Sequence, residues 1–154
     1  MNSFRGVYTY SVDDKGRINI PAKFRKVMSP QANETFIVCR GPDNCLRAFP
    51  LDEWEHTEER MEHRLEQPQA VRTNRHMRST LSESALDAQG RIALSPPQMQ
   101  IAGIAKSVLL IGNRGYIELW DPERFQHYMG AQDDFNEVFY QSVESATRTP
   151  SPGQ

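Results

Sequence analysis

A nine-residue pattern occurs twice in this chain of 154 residues. Residues 12–20 read VDDKGRINI and residues 86–94 read LDAQGRIAL. Each copy has an Asp, a Gly three positions later, then an Arg and alternating aliphatic residues. The equivalent residues, 74 positions apart, are Asp13 and Asp87, Gly16 and Gly90, and Arg17 and Arg91. Such repetition predicts two copies of one supersecondary unit, each presenting a charged turn.

The residues around each copy predict the same order of elements: strand, turn, strand, short helix and two further strands. In the first copy these lie at 7–12, 13–16, 17–20, 22–28, 36–39 and 45–49. In the second copy Leu86 ends a strand, and the later elements lie at 87–90, 91–94, 95–103, 108–111 and 116–120. The predicted fold class is therefore mainly β with α, or α+β.

A longer amphipathic helix follows each copy, the first over residues 51–66. The expected organisation is two repeats, a connecting helical region, a C-terminal helix and a Pro-rich tail that we expect to be disordered. The bounds are 7–54 for repeat 1, 55–82 for the helix and linker, 83–126 for repeat 2, 127–146 for the C-terminal helix and 147–154 for the tail.

Composition and motifs exclude several classes of protein. The mean hydropathy is −0.67, and neither a membrane span nor a signal peptide is visible, so we expect a cytoplasmic protein. Cys39 and Cys45 lack zinc-site spacing and are interpreted as packing residues. No nucleophile elbow, phosphate-binding loop or paired metal-ligand motif is present, so we expect no enzymatic activity, no cofactor and no metal.

The net charge of −2 conceals a segregation of charge along the chain. Residues 1–50 contain eight Lys or Arg and four Asp or Glu, whereas residues 51–70 contain two Arg and seven acids. Segregation of this kind predicts a basic surface on one part of the fold. Arg72, Arg75 and Arg78 would share one helix face, and the sequence leaves open whether this face is a solvated linker or binds a partner.

The repeated turn is the candidate site. Asp13 and Arg17 bracket Gly16, so the carboxylate can accept from turn amides and orient a guanidinium toward phosphate or guanine. The alternative is an ion pair that only fixes the turn. Further cations near the first copy favour anion binding, and the second copy has Gln89 in place of Lys15 and no following basic cluster. We therefore expect Arg17 to contribute more than Arg91. The additional candidate DNA-binding residues are Lys15, Lys23 and Arg25.

Three stretches, FRGVYTYSVDDKGRINIPAKFR, LDAQGRIALSPPQ and LLIGNRGYIELWDPERF, resemble the MraZ family of bacterial transcriptional regulators, which contain two SpoVT-AbrB-type repeats. The resemblance covers roughly residues 4–145. It implies a swapped-hairpin β-barrel in which the repeats form a pseudo-dimer. It also implies Arg17 as the DNA-contacting residue, with Arg91 its second-repeat partner. The helix after the second copy, SPPQMQ, lacks the basic character of AKFRK.

The resemblance further implies a ring-shaped homo-oligomer that binds direct repeats in double-stranded promoter DNA, represses its own division and cell-wall operon, and associates with the nucleoid. The alternative function is that of an antitoxin-like or assembly protein, which acts through protein contacts made by the acidic helix over 51–66. The two functions differ in salt dependence, because DNA binding weakens steeply as salt is added.

Overall fold

The computed structural model describes residues 3–64, 66–130 and 134–147. Eight strands and seven α-helices are described in these ranges. The strands are β1 (Val7–Ser11), β2 (Arg17–Asn19), β3 (Thr35–Arg40), β4 (Leu46–Pro50), β5 (Ser82–Ala85), β6 (Arg91–Ala93), β7 (Ser107–Asn113) and β8 (Tyr116–Trp120). The helices are α1 (Ala22–Lys26), α2 (Leu51–Glu62), α3 (Pro68–Thr80), α4 (Pro96–Ala102), α5 (Pro122–Gly130), α6 (Phe135–Phe139) and α7 (Ser145–Thr147).

Most strand pairs join one repeat to the other. A six-stranded antiparallel sheet has the order β1-β7-β8-β4-β3-β5, and β2 and β6 form a separate two-stranded sheet. In the larger sheet β1 pairs with β7, β4 with β8, and β3 with β5. Each of these pairs takes one strand from either side of residue 75, so neither repeat completes its sheet alone.

The fold class is confirmed as α+β with antiparallel sheets. The strand before each charged turn does not pair with the strand after it, because β1 pairs with β7, β5 pairs with β3, and β2 pairs with β6. The predicted swapped-hairpin barrel is not confirmed. Among the described residues, β1 and β5 remain as edges of an open sheet, and the three-residue strands β2 and β6 form a sheet of their own.

The six-stranded sheet has a buried cluster on each face. Alternate residues of β3 belong to different clusters: Phe36 and Val38 to the larger one, and Ile37 and Cys39 to the smaller. The larger cluster includes Ile18 and Ile92 and so packs β2 and β6 against the sheet. The smaller cluster holds the buried Trp54 of α2, and the partly buried Met77 of α3 packs against it. The β2–β6 sheet and α2 therefore cover opposite faces.

Helix α2 is shorter than predicted, since it ends at Glu62 rather than residue 66. A second helix begins at Pro68, which occupies a first-turn position where a missing amide hydrogen costs nothing. The extended conformation of Gln67 agrees with the restriction that proline places on its predecessor. Arg78 of α3 bonds Glu58 of α2 through Nη1 and Oε2 at 2.5 Å.

Residues from Glu123 onward form a second compact unit. Within it α6 continues through a π-helical turn, Tyr140–Glu144, into α7. The predicted C-terminal helix over 127–146 corresponds to α5 and to this later helical segment, and residues 131–133 lie outside the described residues. The same is true of 148–154, the bulk of the predicted tail. Large apolar side chains of the helical segment are exposed: Phe135, Val138, Phe139, Tyr140 and Val143.

Candidate nucleic-acid interface

Turn 1 (residues 13–17) is organised around one carboxylate. Asp13 Oδ1 accepts hydrogen bonds from the backbone amides of Lys15, at 3.0 Å, and Arg17, at 2.7 Å. Its other oxygen, Oδ2, accepts from Arg17 Nε at 2.6 Å. Gly16 closes the turn at φ +74°, a conformation that side chains with a Cβ rarely adopt. The guanidinium of Arg17 is thus tied to its own turn through one edge and remains one-third exposed.

Turn 2 (residues 87–91) repeats this geometry. Asp87 Oδ1 accepts from the amides of Gln89 and Arg91, both at 2.9 Å, and Oδ2 accepts from Arg91 Nε at 2.8 Å. Gly90 has φ +77°. Exchange of Lys15 for Gln89 changes the charge but not the bond, because the bond to the carboxylate comes from the backbone.

Both carboxylates are held ionised. The amide of Arg17 lowers the pKa of Asp13, and burial opposes this shift only in part. The amide of Arg91 lowers the pKa of Asp87 in the same way. A carboxylate that accepts several hydrogen bonds is more stable charged than protonated. At neutral pH each turn therefore presents an arginine whose position is set by an ionised aspartate.

The β2–β6 pair brings the two turns together. Ile18 lies opposite Ile92, its own equivalent, so the two strands are related by a local pseudo-twofold axis through this pair. Arg91 Nη1 lies 3.6 Å from Oδ2 of Asp13, across the repeats. The two arginines consequently belong to one surface, on the face of the sheet opposite to α2.

Antiparallel pairing also places the end of each strand beside the turn of the other repeat. The amide of Ile20, at the end of β2, donates to the carbonyl of Gly90 at 3.0 Å. The amide of Leu94, at the end of β6, donates to the carbonyl of Gly16 at 2.8 Å. Because α1 and α4 begin directly after these residues, α1 starts at turn 2 and α4 starts at turn 1.

Different side chains therefore lie against the two glycines. A Cβ on Gly90 would lie 2.7 Å from Cζ of Arg25, which donates from Nε to the carbonyl of Ile20 at 3.1 Å. A Cβ on Gly16 would lie 3.2 Å from Sδ of Met99. Arg25 and Met99 are equivalent positions of the two repeats, 74 residues apart. Turn 2 is flanked by a cation and turn 1 by a thioether.

This placement corrects the predicted neighbourhood of Arg17. Arg25 follows Arg17 closely in sequence but packs on the turn that contains Arg91. Lys23 is exposed on the same short helix, and Lys15 is exposed on turn 1 itself. The sequence reasoning treated Arg25 as a neighbour of turn 1 because it is close to Arg17 in sequence, whereas β2 carries the chain from turn 1 to turn 2.

Gln98 is a fully buried polar residue whose structural role the sequence did not reveal. Its Nε2 lies within hydrogen-bond distance of three oxygens, the carbonyls of Val38 and Thr80 at 3.2 and 2.7 Å and Oγ of Ser82 at 2.9 Å, which share its two N–H donors. Its Oε1 accepts from the amide of Ser95 at 3.0 Å, completing a capping box at the start of α4. The Ser-Pro-Pro-Gln pattern was the available signal. Gln98 fixes α4, and with it Met99, beside turn 1.

The other predicted features are accounted for as follows. Cys39 and Cys45 form no disulfide and are buried, as predicted, and burial raises the pKa of each to about 12. The four histidines, for which the sequence shows no metal-ligand pairing, are exposed. Within the described ranges, no group of three or more His, Cys, Asp or Glu is placed to hold a metal ion. In the same ranges, no helix is long and apolar enough to cross a membrane.

Comparison with known proteins agrees with the resemblance seen in the motifs. A family model described as "MraZ protein, putative antitoxin-like" matches residues 3–76 and 77–143. The transcriptional regulator MraZ of Limosilactobacillus fermentum is 37% identical over 137 residues, which cover 88% of this chain and 93% of that protein.

Two further relatives with the name transcriptional regulator MraZ are similar over nearly their whole length. The protein of Natranaerobius thermophilus is 34% identical, with 92% of this chain and 97% of that protein covered. That of a Nocardioides species is 36% identical, with 94% and 99% covered. The chain belongs to the MraZ family.

Proposed function

We propose that this protein is a transcriptional regulator that binds double-stranded promoter DNA through the surface formed by turns 1 and 2. The observation that carries the proposal is the pair of arginines, Arg17 and Arg91, each oriented by an aspartate and placed on adjacent strands. Arg91 approaches Asp13 within 3.6 Å, so the turns act as one unit. Preorganised guanidinium groups suit bidentate contacts with phosphate or guanine.

The proposed DNA-binding residues are those of the turns and of α1. Arg17 and Arg91 make the principal contacts, and Lys15 and Arg25 flank them. Lys23 contacts the phosphate backbone of the DNA. Asp13, Gly16, Asp87 and Gly90 support the turns. A role without enzymatic activity or cofactor is part of the proposal, as is association with the nucleoid, since a DNA-bound regulator resides there.

The finer regulatory role is also proposed. The protein represses its own division and cell-wall operon by binding direct repeats in the promoter as a ring-shaped homo-oligomer. Several subunits side by side would convert the few cations of one chain into tight binding, because linked contacts add by avidity. Support for self-association comes from the exposed apolar side chains of the C-terminal segment, of which Phe135 is 75% exposed. The domain bounds of the two repeats are proposed with it.

The test is a binding titration with DNA from the region upstream of the protein's own gene. Arg17→Ala and Arg91→Ala should each weaken binding by roughly 5- to 150-fold, the loss of one bidentate contact of about 1–3 kcal/mol. Arg60→Ala is the matched control, since it removes the same charge from α2 on the opposite face of the sheet. Unchanged binding by both turn variants would contradict the proposal.

The second candidate function is that of an antitoxin-like protein that binds another protein. The family description and the acidic face of α2 favour it. Affinity measured over a series of salt concentrations separates the two functions. The logarithm of the DNA-binding constant should fall linearly with the logarithm of the salt concentration, with a slope of about −0.9 per phosphate neutralised. Capture of a protein partner that is insensitive both to salt and to Arg17→Ala would favour the alternative.

A further inference from the structure

The two turns are equivalent in geometry, but the helices packed against them are unequal in charge. Taken alone, residues 13–17 and residues 87–91 are each neutral. The helices that follow β2 and β6 differ strongly, however, because α1 carries three cations and α4 carries none. The equivalent pairs are Lys23 and Pro97, Arg25 and Met99, and Lys26 and Gln100. Within the turns themselves, turn 1 has one additional cation, because Lys15 stands where turn 2 has Gln89.

Arg25 is the cation that the structure ties directly to a turn. Its Nε donates to the carbonyl of Ile20, and its guanidinium lies over Gly90. This is the one hydrogen bond of its side chain within residues 3–64, 66–130 and 134–147, and the residue remains exposed. The two Nη groups thus retain their donors for a ligand, beside an arginine that Asp87 already orients.

A pseudo-twofold DNA-binding surface with equal turns would bind a DNA element equally well in either direction. Unequal turns remove this degeneracy, because each cation placed on a phosphate adds binding free energy through counterion release. DNA without a dyad axis offers its two flanks unequally, through base contacts and groove shape. The more cationic turn then has a preferred flank.

We infer that the unequal pair Arg25 and Met99 gives the subunit one preferred orientation on asymmetric DNA. Turn 2 then lies on the flank where more phosphates can be contacted. This inference rests on the proposed DNA-binding function and deepens it. It makes Arg25 a determinant of binding direction, acting in the turn that belongs to the second repeat.

Direction can be read with a DNA-cleaving iron chelate tethered to one turn at a time. Asp14→Cys and Ala88→Cys place a thiol at equivalent, exposed positions of turns 1 and 2. The native Cys39 and Cys45 are buried, and their pKa values of about 12 leave almost no reactive thiolate at neutral pH. The probe is a duplex from upstream of the protein's own gene, end-labelled on either strand.

With the native pair, the tether on turn 2 should cut one flank of each protected element and the tether on turn 1 the other. The double substitution Arg25→Met with Met99→Arg keeps the net charge and should exchange the two flanks. Equal cutting of both flanks by each tether, with protection intact, overturns the orientation but leaves DNA binding standing. Flanks that do not exchange in the swapped protein also overturn it.

Two further measurements keep the test decisive. If circular dichroism shows that the swapped protein is unfolded, Met99→Arg alone is used. It places an arginine at both equivalent positions, 25 and 99, so that each tether should cut both flanks equally. Cutting confined to one flank contradicts the inference, because the remaining charge differences would then set the orientation. A wild-type protein that protects no DNA overturns both the proposed function and the orientation.

Discussion

Turn 1 and turn 2 have the same local structure and different surroundings. Each has an aspartate that accepts from two amides and from the Nε of an arginine, over a glycine at positive φ. Against Gly16 lies Met99, and against Gly90 lies Arg25. The difference shows that the five residues of a turn fix its geometry. The antiparallel pairing of β2 with β6 decides which helix lies beside the turn, and therefore the charge of its surroundings.

The largest effects are expected from substitutions that loosen the packing of α1 and α4, the helices beside the two turns. Phe24 of α1 and Gln98 of α4 are equivalent positions, and both are buried. Phe24→Ala should cost about 3–5 kcal/mol of unfolding free energy, the usual cost of truncating a buried phenylalanine. Gln98→Ala should cost about 3 kcal/mol, because the carbonyls of Val38 and Thr80 lose their donor.

Urea denaturation measures both losses, with the exposed Gln100→Ala on α4 as the control. A Gln98 variant as stable as this control would mean that its hydrogen bonds do not hold α4 in place.

A smaller effect distinguishes the two glycines. Gly90→Ala should cost about 1–2 kcal/mol, from the positive φ alone, since the Arg25 side chain can move aside. Gly16→Ala should cost more, because the new Cβ would lie 2.7 Å from the carbonyl oxygen of Leu94, which is backbone. Thermal unfolding of the two variants checks the order. Equal losses would show that the neighbour of each glycine does not matter.

The smallest expected difference concerns the two aspartates. Their lowered pKa values mean that ionisation stabilises the fold above the ordinary range of aspartate and that this contribution is lost as pH falls through the lowered pKa. Asp13→Asn and Asp87→Asn should therefore destabilise the protein at pH 7 and differ less from wild type in strong acid. Asp13→Asn should have the larger effect, because Asp13 also faces Arg91.

Unfolding midpoints of both variants at neutral and at strongly acid pH provide the measurement. A deficit relative to wild type that stays constant with pH would mean that the charge of the carboxylate is not what stabilises the turn.

The sequence was informative where an interaction is local. The Asp-x-x-Gly-Arg pattern predicts a carboxylate that accepts from turn amides, and in both turns the aspartate does accept from the amides two and four residues later. The strands and short helices flanking the turns were also predicted from local signals, as was the burial of both cysteines. Membership of the MraZ family, which the motifs suggested, is confirmed by the family match.

Interactions between distant residues were not predictable from local signals. Whether a strand pairs with its sequence neighbour or with the other repeat depends on packing of both repeats around Ile18 and Ile92. The position of Arg25 depends on this pairing, so the sequence assigned it to turn 1. The end of α2 was missed for a different reason: the apolar periodicity continued past Glu62, while Pro68 already required a new helix.

The central claim is that Arg25 acts with Arg91 and not with Arg17. A double-mutant cycle of DNA affinity tests it directly, using Arg25→Met in combination with Arg91→Ala and, separately, with Arg17→Ala. The account predicts that Arg25 and Arg91 are coupled, so that their combined loss differs from the product of the single losses, while Arg25 and Arg17 contribute independently. Coupling of Arg25 to Arg17, with independence from Arg91, would contradict it.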